Sequence, residues 1–481
     1  MSSWFDKLVA RPQRSLVLLG CLLLLAGNAI LPLTDRDEAR FAEASREMIQ
    51  RADFVVPWFN GAWRFDKPVL IYWCQIASYK VFGVNEFAAR LPSALFCIGT
   101  ALLLARWAKK RADNRTALIA GVMFLTALHV AIVIGRVATA DMAMIFFGTL
   151  AAWSGWELTR PENPVRKSWW WIFYLALAFG FLAKGPVAWL PLGGMILGRA
   201  LRKDSFRLPL NETVVGLCVA VALVALWGGP ALWQTGGMFW QVGMGEHVFN
   251  RSVSAIDGHG AAGALQFIAL LPLYFLTFFL SFFPWSLRVP GALKKWWPER
   301  QRDDLGWFLL VNALLIFTVF SLVKTKLPHY TMPAFPLIAL WLARQISGDA
   351  KISGWLTRRL VLASVIILVV TIGGFGFARN RLLTQNLWNA TQAHVTPQTK
   401  VGCFGYIEPS LVWKFRSVTT NYLTLGDVAQ AKNFLTNAPP FILVLPTAAL
   451  TNLPDTNGIL FRVTGLDLVK FKLRDLTALV R

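Results

Sequence analysis

Cysteines are few and nucleotide-binding loops are absent in this chain of 481 residues. The five cysteines show no paired spacing, and some fall inside long apolar runs, so neither a disulfide framework nor a thiolate metal site is indicated. There is no Walker loop and no GxGxxG motif after a strand pattern, so nucleotide chemistry has no support. The chain also has no internal repeat and no low-complexity tract. Its organisation must therefore be read from its apolar runs.

Charged residues are scarce, and the composition is that of a membrane protein. Only 15% of the residues are charged and 56% are apolar, including 22 Trp and 35 Phe, which no ordinary soluble domain matches. Because a spanning segment must satisfy its backbone internally, we predict an all-α polytopic membrane protein with about eleven transmembrane helices. The apolar runs that predict them lie at 15–33, 91–107, 116–134, 141–157, 169–183, 186–199, 212–229, 264–285, 305–323, 332–346 and 359–377.

Acidic residues are outnumbered by basic ones, which gives a formal net charge of +22. The basic residues crowd alternate loops, so the positive-inside rule predicts that these loops and the N-terminus are cytoplasmic. This charge is dispersed over short loops and is explained by anionic lipid headgroups, so no nucleic-acid partner is predicted. The first apolar run lacks a small-residue cleavage site and is interpreted as an uncleaved anchor in the membrane.

The chain divides into a membrane domain and a more polar tail. Residues 1–378 form the predicted transmembrane domain, which includes two long outside loops, at 34–90 and 231–263. The second loop is rich in glycine, as a mobile lid over a substrate would be. Residues 379–481 predict a small α/β domain, which lies outside if the number of spans is odd. Its strand-like runs are Lys400–Phe404, Phe441–Leu445, Gly458–Val463 and Leu466–Phe471, with a helical pattern near Leu425–Leu435.

The first outside loop is too apolar to be free in water, and two helices are predicted in it. Residues 38–50 alternate apolar and charged positions, which favours an amphipathic helix lying on the membrane surface. Residues 69–82 are a second candidate, with aromatic side chains suited to the headgroup level. The charged positions of the first helix are Arg40, Glu43, Arg46 and Glu47.

Three acids stand within four residues directly after the first apolar run: Asp35, Asp37 and Glu38. Asp37 could simply cap the helix that follows. However, three carboxylates exceed what one cap needs, and a carboxylate here could act as a general base or bind a metal. Arg40, one turn further on, could orient that carboxylate or bind an anion.

Further charged residues flank other apolar runs. Lys67 precedes a proline that could open a helix, so its ammonium could join free N–H groups in a phosphate site; the alternative is a surface pair with Asp66. Asp141 lies where two apolar runs meet and is either a helix cap or a catalytic carboxylate. Lys184 lies between two apolar runs on the outer side, against the cytoplasmic bias of basic residues, which favours an anionic partner.

The later outside loops add an imidazole, a phenol and more cations. His247 in the second loop is either solvated or a metal ligand or proton carrier. Phosphate binding is the task that the cations share, and an outside site opening onto lipid suits a polyprenyl phosphate better than a soluble nucleotide. The predicted phosphate-binding residues are Lys67, Lys184, Arg251, Lys324 and Lys326, joined by Tyr330.

Several motifs match a known family. The run DEARFAEASREM from Asp37, then FDKP from Phe65 and NEFAAR from Asn85, resembles the bacterial C-type glycosyltransferases. Within these, the chain most resembles the aminoarabinose transferases of lipid A, which are akin to the protein O-mannosyltransferases. Supporting matches lie at Phe181–Gly185, Phe239–Trp240, Glu246–His247 and Lys326–Tyr330, so that the resemblance covers roughly residues 15–345.

The resemblance implies an inverting transfer of a sugar from undecaprenyl phosphate to a lipid acceptor at the periplasmic face of the inner membrane. It implies that Asp37 is the essential first-loop carboxylate, with Arg40, Asp66 and Lys67 near the donor. Asp141 falls where a second acid is expected, and Tyr330 corresponds to a site tyrosine. Arg stands at position 64 where an aromatic residue is usual, and Asp at 66 where Glu is typical, which leaves the sugar and acceptor open.

Three alternatives are carried forward. A protein O-mannosyltransferase or another glycan-transferring enzyme would use the same chemistry on another acceptor. A transporter or flippase would keep its polar groups at mid-bilayer and often shows repeats, which this sequence does not. No cofactor is required by the sequence, although a divalent metal ion held by Asp66 and His247 is a further hypothesis.

Overall fold

The computed structural model describes residues 2–160, 167–202, 210–250, 264–348 and 352–481. These residues are mostly helical. In chain order the α-helices are α1 (Ser2–Ala10), α2 (Pro12–Leu25), α3 (Asp37–Arg51), α4 (Leu70–Phe82), α5 (Glu86–Arg111), α6 (Asn114–Leu125), α7 (Asp141–Thr159), α8 (Lys167–Lys184), α9 (Leu190–Ala200), α10 (Leu210–Gln234), α11 (Met238–Trp240), α12 (Ala264–Leu270), α13 (Leu273–Ser281), α14 (Val289–Trp296), α15 (Asp304–Leu322), α16 (Phe335–Ile346), α17 (Ile352–Leu368), α18 (Phe375–Arg379), α19 (Leu383–Thr391), α20 (Pro409–Phe415) and α21 (Val428–Phe434).

The strands are short and lie outside the long apolar helices. They are β1 (Trp58–Phe59), β2 (Ala62–Trp63), β3 (Lys400–Phe404), β4 (Tyr422–Leu425), β5 (Phe441–Pro446), β6 (Ile459–Asp467) and β7 (Lys472–Val480). Three π-helical segments interrupt the α-helices, at Val130–Ile134, Gln241–Asn250 and Val369–Gly374.

Each predicted apolar run contains at least part of a helix, and several runs are divided between two or more helical segments. Fewer helices have the full length and hydropathy expected of a span. Among the described residues, four do: Glu86–Arg111, Leu210–Gln234, Asp304–Leu322 and Gly354–Arg379. A fifth span results if Leu265–Ser281 and Trp285–Glu299, which meet at 107°, are counted as one broken span. Pro12–Leu25 and Asn114–Leu125 are shorter apolar helices. The predicted count of eleven is therefore not confirmed by this test.

The chain forms two compact units. Unit 1 comprises Met1–Ala26, Arg64–Cys74 and Arg90–Leu368, and unit 2 comprises Gly27–Trp63, Gln75–Ala89 and Val369–Arg481. In unit 1, α7 packs along α8 and both contact neighbouring apolar helices. A connection of only a few residues joins α7 to α8, so these neighbours run antiparallel. The start of α7 therefore lies beside the end of α8.

Unit 2 contains a mixed five-stranded sheet in the order β4-β3-β5-β7-β6. β3 pairs in parallel with β4 and β5, whereas β7 pairs antiparallel with β5 and β6. The predicted small α/β domain is thus confirmed, with β3 where the sequence placed it. The fourth predicted strand, Leu466–Phe471, is wrong, because residues 468–471 turn between β6 and β7.

Helix α3 of unit 2 begins and ends close to its predicted limits, but its charged face does not meet water. Glu43 and Glu47 are fully buried and Arg46 is nearly so. Arg46 forms an ion pair with Glu43, and Arg416, which follows α20, approaches Glu43 at 3.4 Å and Glu47 at 3.7 Å. An amphipathic helix on the membrane surface would leave such charges at the polar side. Here Glu43 and Glu47 are buried instead, because a distant part of the chain supplies the opposite charge of Arg416.

A tight hairpin, formed by β1 and β2, follows α3. Asn60 and Gly61 have φ of 51° and 81°, the left-handed values that a two-residue turn between β1 and β2 requires. The Glu47 carboxylate accepts hydrogen bonds from the backbone N–H groups of both residues. The buried end of α3 therefore also fixes the hairpin.

Candidate functional site

The centre of the candidate site in unit 1 is an ion pair between Asp141 and Lys184. Asp141 is the first residue of α7 and Lys184 the last residue of α8, so the antiparallel packing of these helices brings them together. The Lys184 ammonium donates a hydrogen bond to Asp141 Oδ1. Each charge also stands at the helix end that its sign favours. Gly185, with φ of 78°, ends α8 directly after the lysine.

Three further residues surround this pair. The Thr139 hydroxyl donates to Asp141 Oδ2 at 3.0 Å, and His329 Nε2 lies 3.9 Å from Asp141 Oδ1. The Lys184 ammonium lies 5.6 Å from the centre of the Tyr330 ring, which also meets the His329 ring edge-on at 5.2 Å. Asp141 makes no side-chain cap to its own helix, so the capping alternative is not supported. The structure thus brings together Asp141, Lys184 and Tyr330 of the predicted residues.

The three first-loop acids, all in unit 2, have different surroundings. Asp35 accepts hydrogen bonds from the backbone N–H of Ser410 at 2.7 Å and from its hydroxyl. Glu38 is buried and accepts from the N–H and hydroxyl of Thr34 at 2.8 and 2.9 Å. Asp37 remains 66% exposed, and its contact in the ion-pair range is Arg40 at 3.9 Å. The acids on either side are held by the fold, whereas Asp37 is presented to its surroundings.

Asp37 does not cap α3. The capping position is occupied by Arg36, whose side chain makes no capping hydrogen bond, and Asp37 is the first helical residue. Its charge still favours the helix N-terminus, but an exposed carboxylate there contributes little. Helix capping therefore does not explain why an acidic residue stands at position 37.

In the FDKP motif of unit 1, Asp66 has a buried arginine as an ion-pair partner. Arg64 is buried and its guanidinium lies 2.7 Å from Asp66 Oδ2, while its Nε donates to the Tyr72 hydroxyl at 3.2 Å. Lys67 is half-buried and lies in the bend before α4. The unusual arginine at position 64 thus provides the partner of Asp66, and Pro68 lies two residues ahead of the helix.

The remaining predicted cations occupy separate environments. Lys324 is exposed after the end of α15. Lys326 is buried, and its ammonium donates to the carbonyl groups of Phe320 and Ser321 at the C-terminus of α15. That contact gives Lys326 a helix-capping task. Arg251 lies outside the described residues.

The second outside loop is partly helical. Gly236 and Gly237 have positive φ and form a turn after α10, and α11 and the π-helix Gln241–Asn250 follow. Phe239 of this segment meets the rings of Phe65 and Trp227 edge-on, at 5.4 and 5.2 Å. The rest of the predicted lid, 251–263, lies outside the described residues.

The metal hypothesis gains no support from the part of the chain that the structure describes. There, no group of three or more His, Cys, Asp or Glu side chains could hold a metal ion. The Asp66 carboxylate is occupied by Arg64, and the side chain of His247 lies outside the described residues. No step of the mechanism below is therefore assigned to a metal.

One member of the site was not assigned a task from the sequence. His329 belongs to the KLPHY motif, in which the sequence assigns roles to Lys326 and Tyr330 and none to the histidine. Its place 3.9 Å from Asp141 becomes visible only when the segment after α15 packs against the start of α7. In the sequence, the one indication that His329 belongs to the site is its position beside Tyr330.

Comparison with known proteins identifies a family and relatives for this chain. Residues 33–203 match the family described as dolichyl-phosphate-mannose-protein mannosyltransferase. The undecaprenyl phosphate-alpha-4-amino-4-deoxy-L-arabinose arabinosyl transferase of Pectobacterium carotovorum is 30% identical over 422 residues, which cover 84% of this chain and 72% of that protein. The same enzyme of Pectobacterium atrosepticum is 30% identical over 423 residues, again 84% and 72%.

Solved structures show the same fold. The crystal structure of ArnT from Cupriavidus metallidurans bound to undecaprenyl phosphate superposes with a TM-score of 0.78 at 17% identity, covering 96% of this chain and 97% of that one. The archaeal oligosaccharyltransferase AglB from Archaeoglobus fulgidus gives 0.53 at 12% identity, over 87% and 65%. The fold is that of the C-type membrane glycosyltransferases. From its curated relatives, the chain belongs to the aminoarabinose transferase family of these enzymes.

Proposed function

We propose that this glycosyltransferase moves a sugar, 4-amino-4-deoxy-L-arabinose or another hexose or amino sugar, from undecaprenyl phosphate to an acceptor of the lipid A or lipopolysaccharide type. The observation that carries the proposal is the 30% identity to the Pectobacterium arabinosyl transferases over 84% of the chain. The family match over residues 33–203 takes in both the first-loop acids and the Asp141–Lys184 pair. Transfer is proposed to proceed with inversion at the sugar.

The reaction requires a good leaving group more than a strong base. The bond from the sugar's anomeric carbon to the donor phosphate oxygen breaks, and the acceptor oxygen forms a new bond to the same carbon. Negative charge grows on the departing undecaprenyl phosphate, and cations placed there lower the barrier electrostatically. The proton of an acceptor hydroxyl passes to a base. If the acceptor is itself a phosphate, it is already an anion and no base is needed.

Lys184 is the proposed contact of the donor phosphate in unit 1. An ammonium has three N–H donors, and Asp141 takes one of them, so donors remain for phosphate oxygens. The Tyr330 ring beside the ammonium and the imidazole of His329 complete this cationic patch. Asp141 is proposed to hold Lys184 in place. Lys67, Lys324 and Arg251 are proposed as further donor contacts, whereas Lys326 has its ammonium directed to helix carbonyls.

Asp37 is proposed to act on the acceptor. Its carboxylate is exposed and anchored to a helix that is buried on several sides, so the group is both accessible and fixed. Arg40, one turn along, approaches it at 3.9 Å and would orient it. An oriented carboxylate can accept the proton of a hydroxyl acceptor, or hold an amine or hydroxyl of the acceptor in line.

The proposed topology places the sugar chemistry outside the cell membrane. The count of about eleven spans, with the N-terminus cytoplasmic, would put Asp37, Lys67, Lys184 and Tyr330 at the periplasmic face of a bacterial inner membrane. Residues 379–481 would form a periplasmic domain. Basic residues in the alternate loops support this orientation, since they favour the cytoplasmic side.

Reconstitution with defined substrates tests the proposed function. The purified protein, given an undecaprenyl-phosphate-linked sugar and lipid A in detergent, should yield a lipid A product heavier by one sugar residue in mass spectrometry. Lipopolysaccharide from cells with and without the gene should differ by the same mass. An unchanged lipid A in both assays would overturn the proposal.

A protein acceptor is the second candidate, because residues 33–203 match the dolichyl-phosphate-mannose-protein mannosyltransferase family. Under this alternative the lipid would be unchanged, and glycopeptides from the same two cell lines would differ instead.

A further inference from the structure

Unit 2 contains a cavity that the reaction described above does not use. Its volume is about 450 Å³, within the range of about 300–1,000 Å³ typical of ligand pockets. Residues from α3, from the α4–α5 connection, from α19 and from α20 line it, all within unit 2. None of them belongs to the Asp141 cluster. The lining mixes indoles, amides and paired charges, which is unlike a packing defect in an apolar core.

The frame of this cavity is fixed by contacts of its own. Arg46 lies 4.8 Å over the Trp413 ring and donates to the Trp413 carbonyl at 3.2 Å. The Lys414 ammonium pairs with Glu86 at 2.8 Å. Asn85 accepts a hydrogen bond from the N–H of Ala88 at the start of α5. Because these contacts already hold the walls of the cavity, its side chains lose little conformational entropy when a ligand binds.

Other lining groups are left available. The Gln50 amide is exposed, and the indole of Trp388 is half-buried, meeting Phe415 edge-on at 5.5 Å. Neither side chain hydrogen-bonds to another residue in the described ranges. The Lys414 ammonium retains two N–H donors beyond its bond to Glu86. The cavity thus offers one indole surface and several hydrogen-bonding groups around it.

This combination suits a saccharide. A sugar ring has an apolar face of C–H groups, which packs on an indole, and an equatorial rim of hydroxyls that need donors and acceptors. The apolar side chains of Val81, Phe82 and Val84 are exposed at the end of α4, and Val84 also lines the cavity. A polar cavity beside exposed apolar side chains fits the headgroup of a glycolipid better than a free sugar.

We infer that this cavity binds the saccharide headgroup of a glycolipid, and that this glycolipid is the acceptor; the second part rests on the proposed function. Trp388 would pack against one sugar ring, while Gln50 and Lys414 bind its hydroxyls.

Binding of soluble saccharides to the full-length protein in detergent tests the first part without requiring catalysis. The probes are N,N′-diacetylchitobiose and glucosamine 1-phosphate, followed by calorimetry and saturation-transfer NMR. We expect saturable binding of at least one probe, weakened at least fivefold by Trp388→Ala and by the double variant Gln50→Ala/Lys414→Met. Trp388→Phe should keep most of the affinity. Phe471→Ala, which removes an exposed aromatic side chain of the same unit outside the cavity, should bind as the wild type.

Absence of binding by either probe, or equal binding by wild type and cavity variants, would overturn the inference. Transfer assays separate it from the proposed function. Trp388→Ala should raise the KM for the acceptor and leave the KM for the donor unchanged. If the wild type transfers sugar and Trp388→Ala has the same acceptor KM, the acceptor assignment fails while the function stands. If saccharides bind but no acceptor is glycosylated, the proposed function fails and the cavity remains a saccharide site.

Discussion

Among residues, the contrast between Asp37 and its neighbours is the most informative. Asp35 and Glu38 each accept two hydrogen bonds from polypeptide groups, so their charge is used to hold the chain entering α3. Asp37 carries the same charge but is exposed, with Arg40 nearby. A sequence can show that three acids are more than a helix start needs, yet only the structure shows which of them is free for another task.

Asp37→Asn should abolish sugar transfer and leave folding nearly unchanged, because an exposed carboxylate contributes little to stability. Turnover of the purified variant is the measurement, and residual activity above about a tenth of the wild type would contradict the catalytic role. Glu38→Gln is the matched comparison. It should lower the unfolding temperature, since it weakens the two hydrogen bonds from Thr34.

Lys184→Gln should weaken binding of undecaprenyl phosphate by about tenfold or more, because a charge-assisted contact contributes roughly 1.5–3 kcal/mol. Asp141→Asn keeps the ammonium but weakens the contact proposed to hold it in place, so donor affinity should fall by less than in Lys184→Gln. Lys400→Gln, on the sheet of unit 2, serves as the control. Titration of the detergent-solubilised variants decides the point, and equal affinity in Lys184→Gln would remove Lys184 from the phosphate site.

Asp35 predicts a pH dependence of stability. Burial raises the pKa of the Asp35 carboxyl from 3.8 to about 7, although the hydrogen bonds from Ser410 oppose this. The folded state then holds the proton more tightly than the unfolded chain. The protonated Asp35 carboxyl therefore adds to the free energy of unfolding. This contribution is complete below about pH 4 and is lost as the pH rises through about 7.

The variant Asp35→Asn cannot titrate at this position. Between pH 4 and pH 7, the unfolding temperature of the wild type should therefore fall relative to that of this variant. The comparison between the two proteins cancels the titration of all other groups. Parallel curves across that interval would show that Asp35 keeps an ordinary pKa in the folded protein.

At the scale of elements, the sequence predicted where helices and strands lie along the chain better than it predicted which residues pack against them. Apolar runs and strand-like runs gave the helices of unit 1 and the strand β3 because hydrophobic periodicity is a local property. The faces of α3 could not be assigned in the same way. Its carboxylates are buried by Arg416, more than 350 residues along the chain, and no local pattern reports such a partner. The strands β4 and β7 were missed for lack of an uninterrupted apolar run.

For the Asp141–Lys184 pair, too, the sequence indicated the residues but not the contact between them. Each residue was singled out because its charge flanks an apolar run, and the short connection between α7 and α8 already favours antiparallel neighbours. Their direct contact was nevertheless not predicted. It depends on the relative lengths of α7 and α8, 19 and 18 residues, which bring the first residue of one level with the last residue of the other.

Arg416→Met should destabilise unit 2 by about 3 kcal/mol or more, because it leaves Glu43 and Glu47 buried with less opposing charge. Thermal unfolding followed by circular dichroism measures the effect. Arg462→Met, on the exposed side of β6, is the control and should stay within about 0.5 kcal/mol of the wild type. An equal, small effect in both variants would mean that Arg46 and Arg51 compensate the two carboxylates without Arg416.

At the scale of the whole molecule, the number of membrane crossings determines on which side each loop lies. Length and hydropathy alone give four or five spans in the described residues. Helices α7 and α8 carry charges at their ends. Such helices cross a membrane only if partners shield these charges, and Asp141 and Lys184 shield each other. The count of eleven remains a prediction that rests on the apolar runs, and the predicted orientation rests on the alternation of basic loops.

Cysteine labelling in intact cells tests this topology. The five natural cysteines are first replaced, and Ala255→Cys and Trp297→Cys are then introduced separately. Position 255 lies in the second predicted outside loop and position 297 beside Lys294 and Lys295, so a membrane-impermeant maleimide should label 255 alone. Permeabilised cells, in which both should react, control for buried thiols. Labelling at 297 alone would invert the topology, and a periplasmic donor and acceptor would then be inconsistent with the positions of Asp37, Lys67 and Lys184.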